Sequence, residues 1–144
     1  MVARWPGRIP TGSVTNQLGI GYDFLATFAE IVGAPSPAGC DGASLLPTLL
    51  GKPLAQTQHQ YLFWDFAGYG GQLAVRMGKW KGIRRGLRKK PDAPLELYDL
   101  EADIGEKEDV AARHPKIAAQ IAEIMHTART EPTIARYRFG EYGG

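Results

Sequence analysis

Gln72-Leu73-Ala74-Val75-Arg76-Met77-Gly78-Lys79-Trp80-Lys81-Gly82-Ile83-Arg84 is the stretch whose reading decides the fold. Leu73, Val75 and Met77 alternate with polar or small residues, the two-residue period of a strand that buries one face. Gly78 supplies the permissive backbone of a tight turn. Beyond it, Trp80 and Ile83 bracket Lys81 and Gly82 in a looser alternation, so a second strand returns beside the first. Working outward, the aromatic-rich run Tyr61-Leu62-Phe63-Trp64-Asp65-Phe66 predicts a strand before the hairpin. Leu95-Glu96-Leu97-Tyr98-Asp99-Leu100 predicts one after it. From Pro115, suited to a first helical position, Ile117, Ala118, Ile121, Ala122, Ile124, Met125 and Ala128 recur at helical spacing to about Arg129. The fold class is α+β: a small antiparallel sheet of about four strands packed against a C-terminal helix. Trp80 is expected at the centre, buried between strands and helix, with Trp80→Ala costing about 3–5 kcal/mol. After Glu131 no period persists, and the tail reads as irregular.

The N-terminal part follows different rules. Met1 to Arg4 reads as the end of a strand, closed by the turn-forming Trp5-Pro6-Gly7. Asp23 is placed as N-cap of a helix through Val32, stopped by Gly33 and Pro35. Phe24, Leu25, Phe28, Ile31 and Val32 give that helix an apolar face too wide for its neighbours in sequence to cover. Residues 34–43 read as loop, and Ser44 as the cap of a short turn bearing Leu45, Leu46, Leu49 and Leu50.

Composition sets outer bounds. A chain of 144 residues with 44% hydrophobic content can bury one core. A single cysteine, Cys40, rules out an internal disulfide framework. No run approaches the roughly 18 apolar residues of a membrane span, and Met1-Val2-Ala3-Arg4-Trp5-Pro6 lacks the apolar core of a secretory signal. The compartment stays open.

The search for chemistry is mostly negative. Cys40 has no base near it in sequence and reads as a non-catalytic thiol. His59, His114 and His126 lack metal-ligand spacing. The acids from Asp99 to Asp109 fail the EF-hand pattern and read as a solvated turn. Lys79, Lys81, Arg84, Arg85, Arg88, Lys89 and Lys90 put seven positive charges within twelve residues. One reading is a patch for an anionic polymer. The favoured one notes that seven of the fifteen acids lie between Glu96 and Asp109, so the runs cancel when folded together.

Several motifs together resemble the sulfatase family, most closely its bacterial arylsulfatase branch. Arg4-Trp5-Pro6-Gly7-Arg8-Ile9 and the apolar helix from Asp23 to Gly33 resemble the segment following the catalytic core. Asp41-Gly42-Ala43-Ser44-Leu45-Leu46-Pro47 with Leu50-Gly51-Lys52 resembles the family's DG-x-SL-x-P and L-x-G signature. Ala74-Val75-Arg76-Met77-Gly78-Lys79-Trp80-Lys81 resembles its AVR-x-G-x-WK hairpin. Leu97-Tyr98-Asp99-Leu100, Asp103-Ile104-Gly105-Glu106 and His114-Pro115 resemble its LYDL-x-x-D-x-GE turn and HP helix start, with Ile104 where the family usually has Pro. The motifs stand in family order over roughly residues 4 to 130.

The resemblance implies a sulfuric ester hydrolase by descent, represented by its C-terminal portion. Residues 1–55 would be the tail of the α/β, alkaline-phosphatase-like catalytic domain, and 56–144 the C-terminal subdomain. It also implies a formylglycine nucleophile from a C/S-x-P/A-x-R motif, and a calcium site, in the full-length enzyme. Cys40 has Gly42 in the second place after it, and Ser36 has Cys40 where Arg is required, so neither fits. The calcium-binding aspartates and catalytic Lys and His have no match either. The expectation is therefore no catalytic residue and no metal or cofactor in this chain, with inactivity alone. The missing catalytic domain would be the partner, and a sulfate ester the substrate only in that context; no nucleic-acid or membrane partner is expected. In such enzymes the subdomain walls the substrate cleft, and Trp64, Asp65, Tyr69 and Gln72 are the candidate wall residues. The alternative is an independent module that binds anionic polymers through residues 79–90.

Overall fold

The computed structural model describes residues 1–140 and Tyr142. The chain divides into two compact units, Met1–His59 and a second from Gln60 onward, described separately below.

The second unit is the α+β body. Strands β1 (Leu62–Phe66), β2 (Gln72–Met77), β3 (Trp80–Arg85) and β4 (Glu96–Asp99) form one antiparallel sheet in chain order. Its register aligns Phe63, Val75, Gly82 and Leu97 in a row across the sheet. The last long element, α3 (Pro115–Thr127), covers that face with Ile121 and Met125, which pack with Leu73, Val75 and Leu97 in the core. The close approach depends on Gly82: a Cβ there would lie 2.4 Å from Ile121 Cγ2, so the helix could not sit this near with any larger residue.

Trp80 departs from expectation. It is half-buried at the end of the covered face, its ring 4.7 Å from that of His114, the N-cap of α3, and 4.7 Å from Lys79 Nζ. Small Gly82 leaves the centre to Ile121, and the indole closes the rim. The tail also differs: Phe139 is buried in the core, its ring against the point where a Cβ on Gly71 would fall, after a single 3-10 turn at Ala135–Tyr137.

The first unit contains α1 (Asp23–Ile31), α2 (Leu46–Leu49) and a 3-10 turn at Pro53–Ala55. Residues 1–4 form no strand; with no partner strand to complete a ladder, they run exposed. Asp23 is the first residue of α1 and Tyr22 its N-cap. Freed from capping, the wholly buried Asp23 carboxylate accepts hydrogen bonds from Ile20 N (2.8 Å), Ala43 N (3.0 Å) and His59 Nε2 (2.8 Å). Ser44 lies one residue before the α2 N-cap, Leu45, and its Oγ accepts from Leu46 N. Gly42 fits under the Tyr22 carbonyl, where a Cβ would meet oxygen at 2.4 Å. Thr27 Oγ1 donates to Asp23 O and accepts from Leu45 N. Gln56 Oε1 accepts from Thr48 N and Oγ1, while its Nε2 donates to the carbonyls of Ser44 and Thr57. Polar side chains thus tie together loops that apolar contacts alone would leave loose.

Gly82→Ala is expected to destabilise the second unit by about 1–3 kcal/mol through overpacking. Chemical denaturation of the chain measures this. An unchanged midpoint would show that α3 shifts freely on the sheet.

Candidate functional site

The uncovered face of the sheet, and the β1–β2 connection at its end, hold most of the residues singled out as a substrate wall. Strand alternation puts Trp64 on the face opposite α3, in register with Ala74 and Ile83. The loop at 100–106 folds over this face, where Glu106 pairs with Lys81. A shallow cavity of about 440 Å³ opens there, bounded by Trp64, Arg76, Lys81, Ile83, Ile104 and Glu106. At the sheet's end, Phe66 pairs with Gln72, whose other neighbour is Arg85. Tyr69, at φ 47°, projects into solvent at 87% exposure, its ring 5.9 Å from that of Phe66. The structure therefore brings Trp64 and Gln72 onto one face and sets Tyr69 beside its edge.

Asp65 points the other way. Its Oδ2 accepts from Arg129 Nε at 2.8 Å; the Arg129 side chain is 1% exposed and that of Asp65 24%. Arg129 is further enclosed by the rings of Phe139 (4.2 Å) and Tyr142 (3.8 Å), with Tyr142 Oη accepting from its Nη2. Asp65 is thus counter-ion to a buried guanidinium that anchors the end of α3 and the tail. Nothing in the local sequence signals a partner 64 residues away.

Among the described residues, three of the seven charges of the basic run pair with carboxylates. Lys79 pairs with Asp99, Lys81 with Glu106 and Arg85 with Glu96. Arg88 donates to the carbonyls of Arg136 and Arg138. The acidic run is equally occupied, which bears on whether it could hold a cation. Asp99 Oδ1 accepts from Glu101 N and Ala102 N. Asp103 Oδ2 accepts from Lys107 N and Glu108 N, and Asp109 Oδ1 from Leu97 N and Ala111 N. These carboxylates cap turns, and among the described residues no group of three or more His, Cys, Asp or Glu could hold a metal ion. The donor set of a calcium site is not assembled among the described residues.

The other candidates are dispersed. Cys40 is a free, half-buried thiol beside Pro37, Ala38 and Tyr22. His59 is tied to Asp23, while His114 packs on Trp80 and His126 lies beside Arg84 and Arg129. Among the described residues no helix is long and apolar enough to cross a membrane.

This meander with its covering helix, preceded by the Asp23-centred unit, is the architecture of sulfatase C-terminal regions. The N-sulphoglucosamine sulphohydrolase C-terminal family matches residues 1–131, and the chain belongs to it. An N-acetylgalactosamine-6-O-sulfatase of Bacteroides thetaiotaomicron is 29% identical over 146 residues, covering 90% of this chain and 27% of that protein. Human arylsulfatase A is 39% identical over 82 residues, covering 56% of this chain and 16% of its own. Among solved structures, one in complex with its substrate D-glucosamine-2-N,6-O-disulfate superposes with a TM-score of 0.69 at 22% identity, over 85% of this chain and 26% of that one. Another, in complex with a neocarrahexaose, gives 0.63 at 25% identity, over 84% and 26%. The chain thus spans about a quarter of the length of the first of these relatives.

Two outcomes follow from the charged groups. Asp65→Ala removes a carboxylate partner of the buried Arg129 charge and is expected to cost about 3 kcal/mol, while Arg129→Met together with Asp65→Ala restores much of that loss; a double-mutant cycle by denaturation checks it. The second is an acid limb. The Lys79 ammonium hydrogen bond, partly opposed by burial, holds Asp99 below the usual carboxylate range. The Glu108 N–H, likewise partly opposed by burial and joined by Lys107 N–H, does the same for Asp103. A depressed folded value means the contribution is complete above the unfolded pKa, near 4, and is lost as pH falls through the folded values. The melting temperature is expected to drop below about pH 4, and less steeply in Asp103→Ala.

Proposed function

We propose that this chain is the C-terminal portion of a sulfuric ester hydrolase, which packs against a catalytic domain, helps form its substrate cleft, and is inactive alone. The observation that carries the reading is the outward face of α1. Phe24, Leu25, Phe28, Ile31 and Val32 are all exposed, Phe28 at 61%, and the rings of Phe24 and Phe28 stack 6.1 Å apart. A contiguous apolar stripe of this kind is characteristic of a surface built to be covered. Relatives about four times as long supply a body to cover it. Residues 1–55 then form the tail end of the α/β catalytic domain, and 56–144 the subdomain.

In the complete protein the nucleophile, its calcium ion and the general acid would come from the catalytic domain, because sulfate-ester hydrolysis needs charge neutralisation, an activated nucleophile and a proton donor. This chain's own contribution is the wall. Trp64 and Tyr69 offer flat apolar surface, Gln72 an amide donor and acceptor, and Asp65 holds β1 in place through Arg129. The names of the relatives support a sugar sulfate as substrate. The anionic-polymer reading is weakened by the ion pairs that occupy Lys79, Lys81 and Arg85.

The chain alone is expected to hydrolyse no chromogenic aryl sulfate at any calcium concentration. Turnover that Cys40→Ala abolishes would overturn this. Hydrogen exchange of the isolated chain is expected to show weak protection over residues 1–55 and strong protection over the sheet and α3. Uniform strong protection in a dilute monomer would instead identify a self-sufficient protein.

A further inference from the structure

Arg84 is a charged residue on the core side of a strand. It pairs in register with buried Leu73, on the face that α3 covers. Its Nε is buried and, among the described residues, has no hydrogen-bond partner. None of the ion pairs among those residues involves it. Buried guanidinium N–H groups are rarely left unbonded, and each one that is calls for an explanation. Arg84 lines a small cavity of about 50 Å³ between β3 and α3, together with Leu87, Met125, His126, Arg129 and Gly140. Among the described residues no carboxylate lines it. Asp65 pairs with Arg129, among the described residues no carboxylate pairs with Arg84, and His126 adds a further polar group.

We propose that this cavity binds a small tetrahedral oxyanion, namely free inorganic sulfate. The ion would accept a charge-assisted hydrogen bond from the buried Arg84 Nε, with His126 as a further polar group on the lining. Its volume has room for a few waters or one small ion, and too little for a sugar ring. The source is therefore the free anion rather than a sulfate group carried on a glycan. This site belongs to the second unit alone and stands whether or not the chain works beside a catalytic domain.

The test is a sodium sulfate titration of the whole chain at constant ionic strength, with chloride as the balancing salt. It is followed by thermal shift and by the Arg Nε–H resonances in NMR. Saturable stabilisation is expected, with shift changes focused on Arg84, Ala122, His126 and Gly140. Arg84→Lys, which keeps the charge but lacks Nε, is expected to bind about tenfold more weakly or worse, while Lys89→Ala binds as the parent does. N-acetylglucosamine-6-sulfate is expected to leave the Arg84 resonance unmoved. No sulfate effect beyond that of chloride, undiminished binding by Arg84→Lys, or shifts centred elsewhere would overturn the site. Equal response to the sulfated sugar would overturn the free-ion assignment. Should Arg84→Lys fail to fold, the shift map of the parent chain decides.

Discussion

The second unit depends on one contact, the seating of Ile121 on bare backbone at Gly82. Because that position carries no side chain, the helix lies close enough for Met125 to join Leu73, Val75 and Leu97 in the same core. Close packing of this kind transmits small changes in volume directly into stability. The arrangement also accounts for the half-buried state of Trp80: the space a central indole would need is taken by the helix. The large aromatic therefore closes the end of the layer, where His114 meets it.

The first unit is organised by polar groups. Asp23, Thr27 and Gln56 are buried, and each makes several hydrogen bonds to backbone amides or carbonyls of separate segments. A satisfied network of this sort specifies loop positions sharply while contributing little net burial of apolar surface. The larger apolar groups of α1 turn outward instead. Internal order here comes through polar ties, with the greasy side left facing out.

Much of this was legible beforehand, and the limits were physical. The four strands and α3 follow from period and turn chemistry, because alternation of Leu73, Val75 and Met77 and the helical recurrence around Ile121 are local signals. Boundaries moved by a residue or two, as at Tyr61 and Leu95. A carboxylate at a helix start reads equally well as cap or as first residue, and for Asp23 only Ala43 and His59, distant in sequence, decide between them. Asp65 looked like an exposed strand residue beside Trp64, yet its partner Arg129 lies beyond the end of α3. Arg84 was read as one charge in a basic run, since its place on the covered face depends on the register with Leu73. Of the candidate wall residues, Trp64 and Gln72 share one face, Tyr69 lies beside its edge, and Asp65 points to the other side.

The strict chain order of the sheet has a consequence for biosynthesis. Every strand of the meander pairs with the one made just before it, and the covering helix follows within the next few tens of residues. Loops that short cost little entropy to close, and topologies rich in local contacts fold fast. The meander and its covering helix can therefore close on each other as they leave the ribosome, without waiting for a distant segment to complete the sheet.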